Sequence, residues 1–359
     1  MTSYSAAGVD IEAGDLAVQL MKAHLAKARR PEVIGDIGGF AGLFDVSALK
    51  KFNRPLLATS TDGVGTKTEI ARLMGKYDTI GQDLVAMVVD DLVVCGAEPL
   101  FMTDYIAVGK VFPARIAEIV QGIAIGCQKA GTALVGGETA EHPGLLAEDE
   151  FDIAGAATGA VDFENLLGEH LVQDGDLIIA MSASGLHANG YSLVRHIIKT
   201  KNLSLDFYVE EFGTTLGETL LTPTQIYSLD CLALHNDLKN KLHGFAHITG
   251  GGIAANTARV IPQNLVARFD RGTWSLPIEM EYLSRQGGVV QSDMEKTWNC
   301  GIGMVALVDP LAADLALRNL AARGMKAWVC GKIEPRIDAR TDARTADFET
   351  ALVGSYKAR

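Results

Sequence analysis

The run Asp62-Gly63-Val64-Gly65-Thr66-Lys67 puts a carboxylate, two glycines and a lysine within six consecutive positions. A strand predicted over Leu56 to Thr61 leads into it, and a helix is expected from about Thr66. Backbone N–H groups at a helix N-terminus suit phosphate. A divalent cation between Asp62 and such a phosphate would reconcile their negative charges. The order G-x-x-x-x-G-K-S/T is absent, so this is no Walker A loop. The plain alternative is a turn with Asp62 as helix N-cap.

Asp90-Asp91 interrupts the apolar stretch Leu84 to Val94, inside a helix predicted over Gly81 to Val94. Burying an unpaired carboxylate costs several kcal/mol. One of the two should therefore face solvent, and a buried one should be paired or bound to metal. Asp83 lies one heptad before Asp90, on a similar face. Gly136-Gly137-Glu138-Thr139-Ala140-Glu141 follows a short predicted strand, Thr132 to Val135. Glycines admit close approach of a ligand, and two carboxylates three apart suit magnesium or a hydroxyl. The later cluster Glu148, Asp149, Glu150 and Asp152 reads as a solvated loop.

In the second half, His187 stands in the small polar loop Ser184-Gly185-Leu186-His187-Ala188-Asn189-Gly190-Tyr191. This loop offers little apolar surface to bury an imidazole, so His187 is expected to serve as acid, base or phosphate ligand. The G-x-S-x-G elbow of a serine hydrolase is missing. Thr249-Gly250-Gly251-Gly252 opens a helix ending near Pro262 and could take an anion at its start. The loose G-x-G-x-x-A patterns here and at Gly301 to Ala306 are weak dinucleotide signals; the second reads as a buried strand.

These loops need a scaffold. With 359 residues, about two domains are expected. Aromatics are 6% and glycines number 38, which favours an α/β protein over a sandwich or propeller. The net charge of −12 argues against nucleic acid or an anionic membrane as main partner. Cys95, Cys127, Cys231, Cys300 and Cys330 form no C-x-x-C pair, so core thiols are expected rather than disulfides or zinc. No leader pattern and no apolar run of ~18 residues is present, which predicts a soluble, cytoplasmic protein. A polar connector at Asp162 to Asp174 divides residues 1–165 from 166–335. The polar tail 336–359, with its doublet Asp338-Ala339-Arg340-Thr341 and Asp342-Ala343-Arg344-Thr345, is expected to be loosely attached.

Taken together, AGVDIEAG from Ala7, RRPEVIGDIGGFAGLF from Arg29, STDGVGTK from Ser60, GQDLVAMVVDDLVVCGAEPLF from Gly81 and GGETAEHPG from Gly136 resemble the aminoimidazole ribonucleotide synthetase (phosphoribosylformylglycinamidine cyclo-ligase) family. SGLHANGYSLVR from Ser184, LLTPTQIY from Leu220 and AHITGGGIAAN from Ala246 continue the resemblance in the same order, to about Ile333. The chain departs from the family pattern at Asp90 (usually Asn), His142 (usually Met) and Ala188 (usually Ser).

The resemblance implies a two-domain PurM-like α/β fold of α+β type. The N-terminal domain would bind ATP and dimerise, the N-terminal sheets of two subunits joining in a barrel-like homodimer core. It implies ring closure of formylglycinamidine ribonucleotide with ATP, giving aminoimidazole ribonucleotide, ADP and phosphate through an iminophosphate. It implies magnesium, and allows potassium. On these residues it implies Asp62, Asp91 and Glu138 as magnesium ligands, with Lys22 and Lys67 on the ATP phosphates. The amides of Gly63, Val64, Gly65 and Thr66 would cradle those phosphates, with Gly136 and Gly137 alongside the nucleotide. His187 would orient or protonate the amide being activated, and Thr249 with Gly250, Gly251 and Gly252 would take the ribose 5-phosphate. The alternatives are a small-molecule kinase of the same superfamily, or an inactive binding protein on this fold.

Overall fold

A computed structural model of the protein describes residues 11–35, 39–336 and 350–359. Gly38, within the stretch RRPEVIGDIGGFAGLF from Arg29, and the Asp338 to Thr345 doublet lie outside the described residues. Those described fall into two compact units: one up to Leu92 together with Ala97–Glu164, the other Val93–Gly96 together with residues from Asn165 onward.

In the first unit, helix α1 (Ile11–Leu25) is followed by strand β1 (Pro55–Gly63), helix α2 (Lys67–Met74) and helix α3 (Ile80–Val93). Strand β2 (Glu98–Val108), helix α4 (Pro113–Ala130), strand β3 (Ala133–Glu141) and strand β4 (Phe151–Asp162) complete it. Pro113 opens α4 at its first turn, and Gly131 closes it in the left-handed conformation. The four strands form one sheet in the order β1-β4-β2-β3. Its register sets Asp62, Gly155, Asp104 and Gly137 in one row across the sheet. Helices α3 and α4 cross closely where a Cβ on Gly81 would stand 2.3 Å from the Ile123 nitrogen. The buried Leu84, Val85, Val88 and Val89 of α3 fill the core. The opposite sheet face is open: Leu57 is 68% and Tyr105 42% exposed.

The second unit is built on a six-stranded sheet. In chain order its elements are β5 (Leu177–Ser182), α5 (Tyr191–Lys201), α6 (Ser228–Leu238), β6 (Leu242–His247) and α7 (Gly252–Ala258). After them come β7 (Leu265–Asp270), α8 (Ile278–Gly287), α9 (Gln291–Thr297), β8 (Ile302–Val308), α10 (Ala313–Ala322), β9 (Ala327–Pro335) and β10 (Thr350–Val353). The strand order is β6-β8-β5-β9-β7-β10. Every residue of β8 is buried, so the Gly301 to Ala306 pattern is indeed a core strand. Ile179, Met181, Tyr227, Leu234, Phe245 and Met304 share one apolar cluster. All five cysteines are free thiols.

The expectation of a loosely attached tail fails for residues 350–359. Strand β10 pairs parallel with β7, Ala267↔Thr350 through Asp270↔Val353. Beyond it, Tyr356 packs edge-on against Trp274 at 5.4 Å between centroids, and its hydroxyl donates to Glu295 Oε1 at 2.9 Å. Edge hydrogen bonds and one aromatic contact secure a segment too polar to look anchored.

Candidate active site

Strand β1 runs on through Asp62 to Gly63, so Asp62 belongs to the strand and does not cap α2. That helix has Thr66 at its N-cap, with no side-chain cap bond. Asp62 is exposed, and its Oδ1 accepts the Gly63 N–H at 2.7 Å. Gly65 sits at φ 65°, a conformation open to glycine and costly elsewhere, and its carbonyl accepts the Thr68 hydroxyl at 2.8 Å. The loop thus offers an exposed hard carboxylate and a glycine backbone, a donor set that fits magnesium carrying a phosphate.

Lys67 corrects the sequence expectation. Its side chain is wholly buried, with Nζ 2.9 Å from Asp83 Oδ1, itself fully buried. Burial pushes the ammonium below its ordinary range, while the Asp83 charge opposes that shift. In this arrangement the ammonium is not presented to a phosphate; it ties α2 to α3. Lys22 lies on the exposed side of α1.

Helical periodicity splits the carboxylate doublet: Asp90 is buried and Asp91 is exposed. Asp91 is therefore the one on the solvent side of α3.

Glu138 is also exposed, with Oε1 accepting the Thr139 N–H at 3.0 Å. It corrects a second expectation. Gly63 and Glu138 share a register row but lie on the two edge strands, β1 and β3. Three strand spacings of ~4.8 Å separate them, too far for Asp62 and Glu138 of one chain to hold the same ion. Among the described residues, no three His, Cys, Asp or Glu side chains converge as a metal cluster.

Beside Glu138 lies a cavity of about 550 Å³, walled by Met21 and Leu25 of α1, Gly42, Asp104 and residues 136–139. Burial raises the Asp104 carboxyl to about 7, against the backbone N–H bonds it accepts, including that of Glu138. Glycine at 137 leaves the Asp104 carboxyl its place, since a Cβ there would stand 1.8 Å from Asp104 Oδ1. A perturbed carboxyl in a largely apolar cavity marks a functional candidate. Sequence reading passed over Asp104; the available signal was a lone carboxylate inside the strand predicted over Pro99 to Ala107.

In the second unit, His187 corrects a third expectation. It is 1% exposed and sits at φ 63°. Its Nε2 accepts the Ser184 N–H at 3.2 Å, and its ring lies 6.1 Å from that of Tyr227. Gly303 of β8 makes the slot, since a Cβ there would meet His187 Cε1 at 2.5 Å. Gly303 and Tyr227, distant in sequence, close over the imidazole beside its own loop. The glycine turn comes close to that loop: a Cβ on Gly250 would stand 3.5 Å from Asn189 Oδ1. Asn256 Nδ2 donates to the carbonyls of Thr249, Gly250 and Gly252, locking the turn, while Gly251 and Gly252 adopt φ 97° and 71°.

Residues 45–161 match the AIR synthase related protein N-terminal domain, and residues 173–341 match its C-terminal domain. The chain belongs to the AIR synthase related family. Phosphoribosylformylglycinamidine cyclo-ligase of Desulfitobacterium hafniense is 49% identical over 331 residues, covering 92% of this chain and 96% of that protein. Among solved structures, thiamine-monophosphate kinase from Stenotrophomonas maltophilia K279a superposes with a TM-score of 0.65 at 16% identity, covering 95% of this chain and 97% of that one. The hydrogenase maturation protein HypE in complex with ATP gives 0.62 at 16% identity, covering 90% and 86%. These structural likenesses show the two-domain α/β fold. Among the described residues, no helix is long and apolar enough to cross a membrane.

Proposed function

We propose that this chain is an ATP-dependent cyclo-ligase that closes the imidazole ring of formylglycinamidine ribonucleotide in purine biosynthesis, releasing ADP and phosphate. The observation that carries the reading is the 49% identity, over nearly the whole of both chains, to the D. hafniense cyclo-ligase. The named ATP complex of a protein with this fold supports the choice of nucleotide.

An amide oxygen is a poor leaving group; phosphorylated, it can be displaced by the ring-closing nitrogen. Phosphoryl transfer needs positioning and charge neutralisation more than covalent help. In this reading the amides of Gly63 to Thr66 receive the nucleotide phosphates, and Asp62 and Asp91, both exposed, hold magnesium. The ion supplies neutralisation of the phosphate charge. Lys22 is the lysine left for the phosphates, since Lys67 is buried. Gly136, Gly137 and Glu138 border the nucleotide. His187 orients the reacting amide, and the turn Thr249 to Gly252 receives the ribose phosphate. Potassium is the further ion to test.

We place the enzyme in the cytoplasm as a homodimer. The open face of the first sheet supports the dimer, with Leu57 and Tyr105 exposed among the small side chains of Ala154, Ala156, Thr59 and Thr61. The deciding experiment is incubation with ATP, magnesium and formylglycinamidine ribonucleotide, following aminoimidazole ribonucleotide. ADP formed without the imidazole would replace this reading with that of a kinase.

A further inference from the structure

A second cavity, of about 660 Å³, lies wholly within the second unit. None of its lining residues has a role in the cyclo-ligase mechanism, and a ligand site there would stand whether or not the chain closes an imidazole ring. The docked C-terminal segment builds one wall. The Lys357 N–H donates to the Trp274 carbonyl at 3.0 Å, and Arg359 holds the Leu276 carbonyl through Nη2 at 2.6 Å. Lys357 and Arg359 thereby join Lys326, just before β9, around the same space.

The charge there is one-sided. Among the described residues, Lys326, Lys357 and Arg359 line the cavity with positive charge and Glu279 with negative charge. Arg359 is partly neutralised by Glu281, whose Oε2 lies 3.7 Å from its Nε. Lys326 and Lys357 have no ion-pair partner among the described residues.

The floor adds an independent observation. Trp274 and Trp328 both line the cavity, their rings 6.4 Å apart and tilted by 42°. Trp274 Nε1 donates to the Cys300 carbonyl at 2.9 Å. Trp328 Nε1 is buried and has no acceptor among the described residues. That N–H is out of reach from the cavity, so Trp328 lines it with ring carbon.

We propose that this cavity binds a small phosphomonoester, its phosphate held by Lys326 and Lys357 and its remaining atoms lying on the two indoles. Two lysines facing a single carboxylate match a dianion better than a singly charged carboxylate ligand. Ammonium groups are effective point-charge partners for phosphate. The volume lies in the range usual for small-molecule sites. The cavity also includes Ser184, whose N–H bonds His187, so an occupant would touch the loop that carries the buried imidazole.

The test is intrinsic fluorescence, because two of the three tryptophans line this cavity. The full chain is titrated with inorganic phosphate at constant ionic strength, and in parallel with acetate. A saturable change with phosphate is expected, with a Kd on the order of 1 mM. The double variant Lys326→Ala/Lys357→Ala removes only exposed side chains, so its Tm should stay close to that of the parent. Its affinity should fall about tenfold or more. Trp328→Phe should lose most of the signal. Absence of a saturable change, or an undiminished one in the double variant, would overturn the site. An equal response to acetate would overturn the choice of phosphate.

Discussion

Lys67 and Asp83 form an ion pair of 2.9 Å in which neither side chain touches solvent. A buried pair gains little over an apolar substitute, but a lone buried charge is strongly destabilising. Lys67→Met should therefore cost about 3–5 kcal/mol, as should Asp83→Leu. The double variant should recover a large part of that loss. Urea unfolding of the three variants measures the coupling; additive losses would show that the pair does not act as a unit.

Asp104 predicts a specific pH dependence. Its carboxyl is raised to about 7 in the folded protein, from an ordinary value of 3.8. The unfolded chain thus gives up this proton first as pH rises. The native state loses stability between the two values, and the penalty levels off above the higher one. Asp104→Asn imitates the protonated form. Its stability relative to the parent should climb from about pH 4 to about pH 7 and then stay flat. A constant difference across that range would place the carboxyl in the ordinary range.

Asp62 and Asp91 are both exposed, so replacing them should spare folding. Asp62→Asn and Asp91→Asn should each cut ring-closing turnover by about 10²-fold, the scale of a lost charge-stabilising contact. Asp90 is buried, and Asp90→Asn should instead lower Tm. Turnover near that of the parent in either exposed variant would take that residue off the magnesium.

His187→Ala removes a buried ring and leaves the Ser184 N–H without its acceptor, so a lower Tm is expected, by about 1–3 kcal/mol of stability. Assayed well below that Tm, turnover should still fall at least about tenfold. Loss of stability with an unchanged rate would leave His187 as a structural residue alone.

Leu57→Lys puts a charge on the open sheet face of the first unit, where the side chain is 68% exposed. Sedimentation should then show a shift from dimer to monomer, with a lower unfolding midpoint because association no longer stabilises the fold. A parent that sediments as a monomer would dispose of the dimer.

Local pattern made much of the scaffold legible. Pro113 and Gly131 bracket α4, and the apolar run of β8 announced a core strand. The glycine loops were legible because composition alone marks backbone that must come close to something. What stayed hidden depends on partners distant in sequence. Lys67 meets Asp83 on another helix, and His187 fits beneath Gly303 on another strand. Neither pairing has a local spacing that betrays it. The family resemblance set Glu138 beside Asp62 on magnesium; only the strand order shows them at opposite edges of a sheet. Residues 350–359 looked unanchored because their hold is backbone pairing, together with contacts of Tyr356 and Arg359 to residues distant in sequence, which composition does not report.

The parallel pairing of β10 with β7 also has a consequence for the order of events during synthesis. The edge of β7 finds its partner strand only when residues roughly 80 positions further along have been made. At the usual pace of translation, ~5–20 residues per second, that edge waits for several seconds with unpaired N–H and C=O groups. An open strand edge is a template for pairing with another chain. Nascent chains of this protein are therefore most exposed to aggregation in that interval, and a chaperone that shields strand edges would act there.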